Sequence, residues 1–115
     1  MVLVRNEGGE DIGSFVIQLD FLYKKKDFQA FERQVAAKIR ELMADKSENS
    51  LMKLYWYLDP IYRLLYFDIK TKSTPISIKL QKMIEMASMP LYQMSEEVRA
   101  NYLSKLTQML TSHKF

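Results

Sequence analysis

The stretch Leu54–Gln81, "LYWYLDPIYRLLYFDIKTKSTPISIKLQ", decides the fold. Read with a period of two, "LLYFDIK" (64–70) and "ISIKLQ" (76–81) both alternate. The five residues between them would then close a hairpin, making the protein α+β. Read with a helical period, Ile61, Leu64, Leu65 and Asp68 share one side, and Tyr62 and Tyr66 share another. Two prolines favour helices. Asp59 precedes Pro60, and Ser73 and Thr74 precede Pro75. Such side chains cap helix starts, and proline costs little at the first helical position. Inside a helix it removes a hydrogen bond and clashes with the preceding turn. The grammar therefore predicts that one helix ends at Asp59 and the next starts at Pro60. A further helix opens at Ser73–Pro75, with Ile76, Leu80, Met83, Ile84 and Ala87 as its apolar stripe.

Working outward, Ser50 is placed to cap a helix from Leu51, with Leu51, Leu54, Tyr55 and Leu58 toward the core. Upstream, Asp27 caps a helix from about Asp27 to Ala44 whose Phe28, Phe31, Val35, Ile39, Leu42 and Met43 recur at helical spacing. Residues 13–23 fit a strand (Phe15, Ile17, Leu19, Phe21, Tyr23) or a helix (Phe15, Val16, Leu19, Leu22, Tyr23). Scarce turn residues favour the helix, so "LYKKKDFQAFERQV" reads as a tight helical hairpin. Its "KDFQAF" turn resembles that of a tetratricopeptide hairpin. The repeat's small-residue pattern is missing and no second copy follows, so no family is assigned. Downstream, "SMPLYQ" is a connector and Ser95 caps a last helix to about Ser112. Glu96 and Glu97 suit its positive end, and Val98, Tyr102, Leu106, Met109 and Leu110 give its buried face.

Composition supports this architecture. A chain of 115 residues, 48% hydrophobic and 27% charged, fits one globular domain. Only three glycines and three prolines are present, too few for the turns of a β-sandwich. The expected fold is a single all-α bundle of five or six short helices built from helical hairpins, spanning 11–115 behind a flexible arm at 1–10. The alternative is α+β with the hairpin near 64–81. No cysteine is present, which excludes disulfides, thiolate zinc sites and a cysteine nucleophile. The first residues, "MVLVRNEGGEDIGSF", show no secretory pattern, and no window reaches the roughly 18 apolar residues of a bilayer span. A soluble cytoplasmic protein without a membrane partner is expected.

Catalytic patterns are absent from the sequence. The single histidine, His113, stands three residues from the end and has no partner in the pattern. Glu96 and Glu97 are adjacent, so on a helix they diverge by about 100° and cannot flank one bond. "EGGE" is acidic where a phosphate loop is not. No enzyme activity, cofactor, metal site or catalytic residue is expected.

What remains is the aromatic surplus. Trp56, Tyr57, Tyr62 and Tyr66 project beyond the core stripes, either because a helix apolar on several faces is central and buries them or because they stay open to a partner, and four of the eight methionines fall in "MIEMASMPLYQM". Trp, Tyr and Met are enriched where interfaces are buried, and Met adapts to varied partners. Residues 1–58 carry nine basic and nine acidic side chains, whereas 63–82 holds Arg63, Lys70, Lys72, Lys79 and Lys82 against Asp68 alone. The reading is a non-catalytic protein-interaction module: an adaptor, chaperone, inhibitor or immunity-type partner, or a self-associating subunit. It binds another protein or a second copy of itself through Trp56, Tyr57, Tyr62 and Tyr66, with Lys70, Lys72, Lys79 and Lys82 as a polar rim. The alternative is a nucleic-acid-binding regulator that uses the basic 63–82 segment.

Overall fold

A computed structural model describes residues 12–45 and 49–112. Five α-helices follow one another: α1 (Ile12–Lys25), α2 (Phe28–Ala44), α3 (Ser50–Lys70), α4 (Ile78–Ala87) and α5 (Glu96–Ser112), with a 3-10 turn at Leu91–Gln93 before the last. The all-α expectation holds, and among the described residues neither arm of the alternative 64–81 hairpin is a strand. The expected arm at 1–10 and His113 lie outside the described residues.

Asp27 makes the α1–α2 hairpin tight by serving both helices. Its N–H donates to the Leu22 carbonyl at 2.9 Å, closing α1. Its side chain accepts from the Ala30 N–H at 3.3 Å, opening α2. One residue thus satisfies polar groups at two helix ends, and the connection needs only Lys26 and Asp27.

α3 is the central element. It packs against α1, α2, α4 and the 3-10 turn, while α5 rests on α4 and that turn. The core is apolar throughout: no polar or charged residue is buried among those described. Phe31, Val35, Ile39, Leu80 and Leu106 are fully buried and Leu110 nearly so, as their spacing predicts. Among the described residues no helix is long and apolar enough to cross a membrane.

Four local expectations are corrected. Asp59–Pro60 does not separate two helices; Pro60 lies inside α3. The buried positions Leu54, Leu58, Ile61 and Leu65 step by four, three and four straight through it, so one unbroken helix buries them all. Pro75 does not open a helix either. α4 starts at Ile78 under the cap of Ser77, whose side chain accepts from the Leu80 N–H at 3.2 Å. Ile76 is nevertheless buried, as part of the connector. At the start of α3 the cap position is Asn49, without a side-chain cap bond, and Ser50 is already helical. Val98 is 43% exposed instead of buried. α5 is held through Tyr102, Leu103, Leu106, Met109 and Leu110, while Glu96, Glu97 and Val98 of its first turn are exposed.

Candidate functional site

The aromatic surplus divides around α3. Tyr57 faces inward: it is 4% exposed, meets the Phe15 ring edge-on at 5.4 Å, and has the Lys38 ammonium 4.7 Å from its ring. It belongs to the core and drops out of the candidate surface. Trp56 is half-buried. It sits about 120° around the helix from Tyr62 but about 20° from Arg63, at the border of the face those residues share.

Tyr62 and Tyr66 do form one face. They are four apart, and their rings meet edge-on at 5.8 Å. Tyr66 is 48% exposed and carries the Lys70 ammonium 5.3 Å above its ring. On the same side Asp59 accepts from Arg63 Nε at 2.9 Å. This i,i+4 pair holds both charges along the helix and fixes the edge of the face.

Across from this face, the Met-rich connector supplies the other wall. α4 ends at Ala87, and Ser88 closes it by donating its N–H to Ile84 at 2.9 Å and its hydroxyl to the Glu85 carbonyl at 2.8 Å. The chain then turns through Met89 and Pro90 into the 3-10 turn. Leu91 is fully buried and anchors that turn, while Tyr92 meets the Tyr55 ring at 5.9 Å. A groove of about 520 Å³ results, lined by Asp59 and Tyr62 of α3, by Glu85, Met86, Ser88, Met89 and Pro90, and by Tyr102 of α5. A smaller hollow, lined by Asp59, Tyr62, Arg63 and Tyr66, continues it along α3. Asp59 and Tyr62 belong to both. The spacing of Tyr62 and Tyr66 marks one wall in the sequence; Tyr102, read there as core, is the residue that sequence reasoning missed.

The lysines of the proposed rim do not converge on this groove. Lys70 stacks on Tyr66 beside it. Lys79 donates to the Ser112 hydroxyl of α5 at 3.0 Å. Lys72 lines a different hollow with Ile69, Thr74 and Ile76, and Lys82 is exposed on α4. Asp59 and Glu85, within the groove itself, are acidic.

A second polar cluster lies at the far end of α3. Tyr23 Oη is 2.6 Å from Asp68 Oδ2 and 3.0 Å from Thr74 Oγ1. The single phenolic proton goes to the carboxylate, which has none to give, and Thr74 supplies the proton of the second bond. Burial, and then the bond to Asp68, hold the Tyr23 phenol above its ordinary value of 10.0. The cluster ties α1 to α3 and to the connector that follows. Among the described residues no three His, Asp or Glu side chains gather as a metal-binding set. No protein-family profile, curated protein or solved structure matches the chain.

Proposed function

We propose that the protein is a non-catalytic interaction module that receives a segment of a partner protein in the groove between α3, the end of α4 and α5. The observation that carries this reading is the groove itself. Tyr62, Tyr102, Met86, Met89 and Pro90 gather apolar surface in one concave site that three elements of the fold build. Rigid aromatic rings give contact area at little entropic cost, and the methionines adapt to what enters. Asp59 and Glu85 in the groove, and Arg63 in its continuation, orient a polar partner segment and tune its arrival. The cysteine-free sequence suits a reducing cytoplasm, where we place the module.

A photo-reactive residue at position 85, exposed at the groove, tests the reading. It should crosslink a discrete partner in the native cell, and the double variant Tyr66→Ala, Met89→Glu should lose that product while keeping its melting temperature. Truncating a central interface aromatic removes about 2 kcal/mol or more, a loss of roughly thirtyfold in affinity. Equal capture from a control position on exposed α2, such as Arg33, would overturn the assignment of the groove.

A further inference from the structure

Two basic runs, "YKKKD" (23–27) and "KTKST" (70–74), are far apart in the sequence, yet the fold brings them to one end of the molecule. α1 and α3 lie side by side and parallel: Phe15 meets Tyr57 near their starts, and Tyr23 meets Asp68 near their ends. Both helices stop in the same way. After α1, Lys26 N–H donates to Tyr23 at 3.1 Å and Asp27 N–H to Leu22 at 2.9 Å. After α3, Lys72 N–H donates to Ile69 at 3.1 Å and Ser73 N–H to Asp68 at 2.8 Å. Each is a Schellman turn, whose pivot is left-handed and is usually glycine. Here the pivots are Lys26 (φ 70°) and Lys72 (φ 57°), the two non-glycine residues with positive φ among those described.

A β-carbon is unfavourable in that conformation, and a lysine side chain has no local backbone bond to compensate, as Asn or Asp would. Helix dipoles do not require these lysines, because Lys24, Lys25 and Lys70 already occupy the last turns. Neither pivot forms an ion pair among the described residues. The acids nearby are engaged: Asp20 with Lys24, Asp27 as the α2 cap, Asp68 with Tyr23, and Glu32 with the Ser77 N–H. Lys26 and Lys72 therefore have no ion-pair partner here, although Asp27, Glu32 and Asp68 stand at the same end.

Between the two turns lies a hollow of about 500 Å³, lined by Tyr23, Lys24, Lys26, Phe28, Ser73 and Pro75, and by Asp68, whose carboxylate is bonded to Tyr23. Lys72 borders a second hollow across the same connector. Tyr23 and Phe28 meet edge-on at 5.6 Å. Both line the hollow and give it an apolar wall. We propose that this end is a second docking surface, for an acidic segment of a partner protein. Its carboxylates meet Lys26 and Lys72, and an apolar side chain enters between Tyr23, Phe28 and Pro75. Asp68 and Tyr66 are two residues apart, about 200° around α3, so this surface faces away from the tyrosine groove and stands independently of it.

The test exploits the strained pivots. Lys26→Gly with Lys72→Gly should raise the melting temperature, since glycine relieves the left-handed strain. The same pair should weaken binding of a fluorescent random copolymer of glutamate and tyrosine by about tenfold at low salt. Lys26→Arg with Lys72→Arg should keep binding. Poly-glutamate of matched length should bind more weakly than the copolymer, because it has no side chain for the hollow. The proposal is overturned if the glycine pair binds as the wild type does, or if Lys82→Ala with Lys105→Ala, which removes the same charge elsewhere, loses as much. It is equally overturned if phosphatidylserine vesicles or oligo-dT bind more tightly than the copolymer, since the surface would then belong to a membrane or a nucleic acid.

Discussion

Pro60 and Pro75 follow similar capping residues, and the chain treats them in opposite ways. At Pro60 the helix runs through; at Pro75 it has not yet begun. Local chemistry does not separate the two sites, but burial does. Around Pro60 the apolar positions stay in helical phase on both sides, and α3 is covered by α1, α2 and α4. An interior proline costs about 3 kcal/mol, and it leaves the Trp56 carbonyl without its helical amide donor. Breaking the helix would uncover Leu58, Ile61 and Leu65, each worth roughly 1.5–3 kcal/mol when buried. Continuity wins because two or more such side chains outweigh one hydrogen bond and one clash. Before Pro75 the residues are Thr71, Lys72 and Ser73, all exposed, so nothing apolar rewards a helix there. Instead Tyr23 and Asp68 hold the connector through Thr74, and Ser77 starts α4.

The comparison breaks first at the core beneath Pro60. Ile61→Ala should cost about 2–5 kcal/mol in urea unfolding, because Ile61 is fully buried and its removal leaves a cavity. A loss below about 1 kcal/mol would mean that burial is not what carries α3 through the proline.

The prolines themselves give opposite signs. Pro60→Ala restores an amide donor and removes the ring, and should stabilise the fold by about 1–2 kcal/mol. Pro75→Ala only loosens an irregular connector and should destabilise by about 0.5 kcal/mol. Shifts of the same sign in thermal unfolding would contradict the contrast.

The smallest effect concerns what replaces the helix at the second proline. Tyr23→Phe removes the bond to Asp68 and should cost about 1 kcal/mol at neutral pH. The phenol's raised value also sets a pH dependence. The unfolded chain loses the proton near pH 10 while the folded chain retains it, so stability falls as pH rises above 10. The Phe variant should lack that part of the decline in an alkaline unfolding series.

Much of this protein was legible in the residues alone. Helical spacing placed α2 and α5 within a residue of their ends, and Asp27, through its cap, fixed the hairpin turn. These features are local: a cap, a turn and a stripe act within a few residues, so sequence order carries them. Tyr62 and Tyr66 were legible as one wall of a site for the same reason.

The rest required the tertiary structure. Whether Pro60 ends a helix depended on what covers both of its sides. Whether Tyr57 is surface or core depended on Phe15 and Lys38 arriving from other helices. Val98 keeps the spacing of its stripe yet is exposed, because spacing says which side could be buried and not whether a neighbour is there. The groove wall from Met86 to Pro90, its closure by Tyr102, and the placing of the Lys26 and Lys72 turns at one end through the Tyr23–Asp68 bond are set by residues remote in the chain. The sequence determined which surfaces are apolar, charged or able to cap. Only packing decided which of them meet, because burial free energy belongs to pairs of surfaces and not to either one alone.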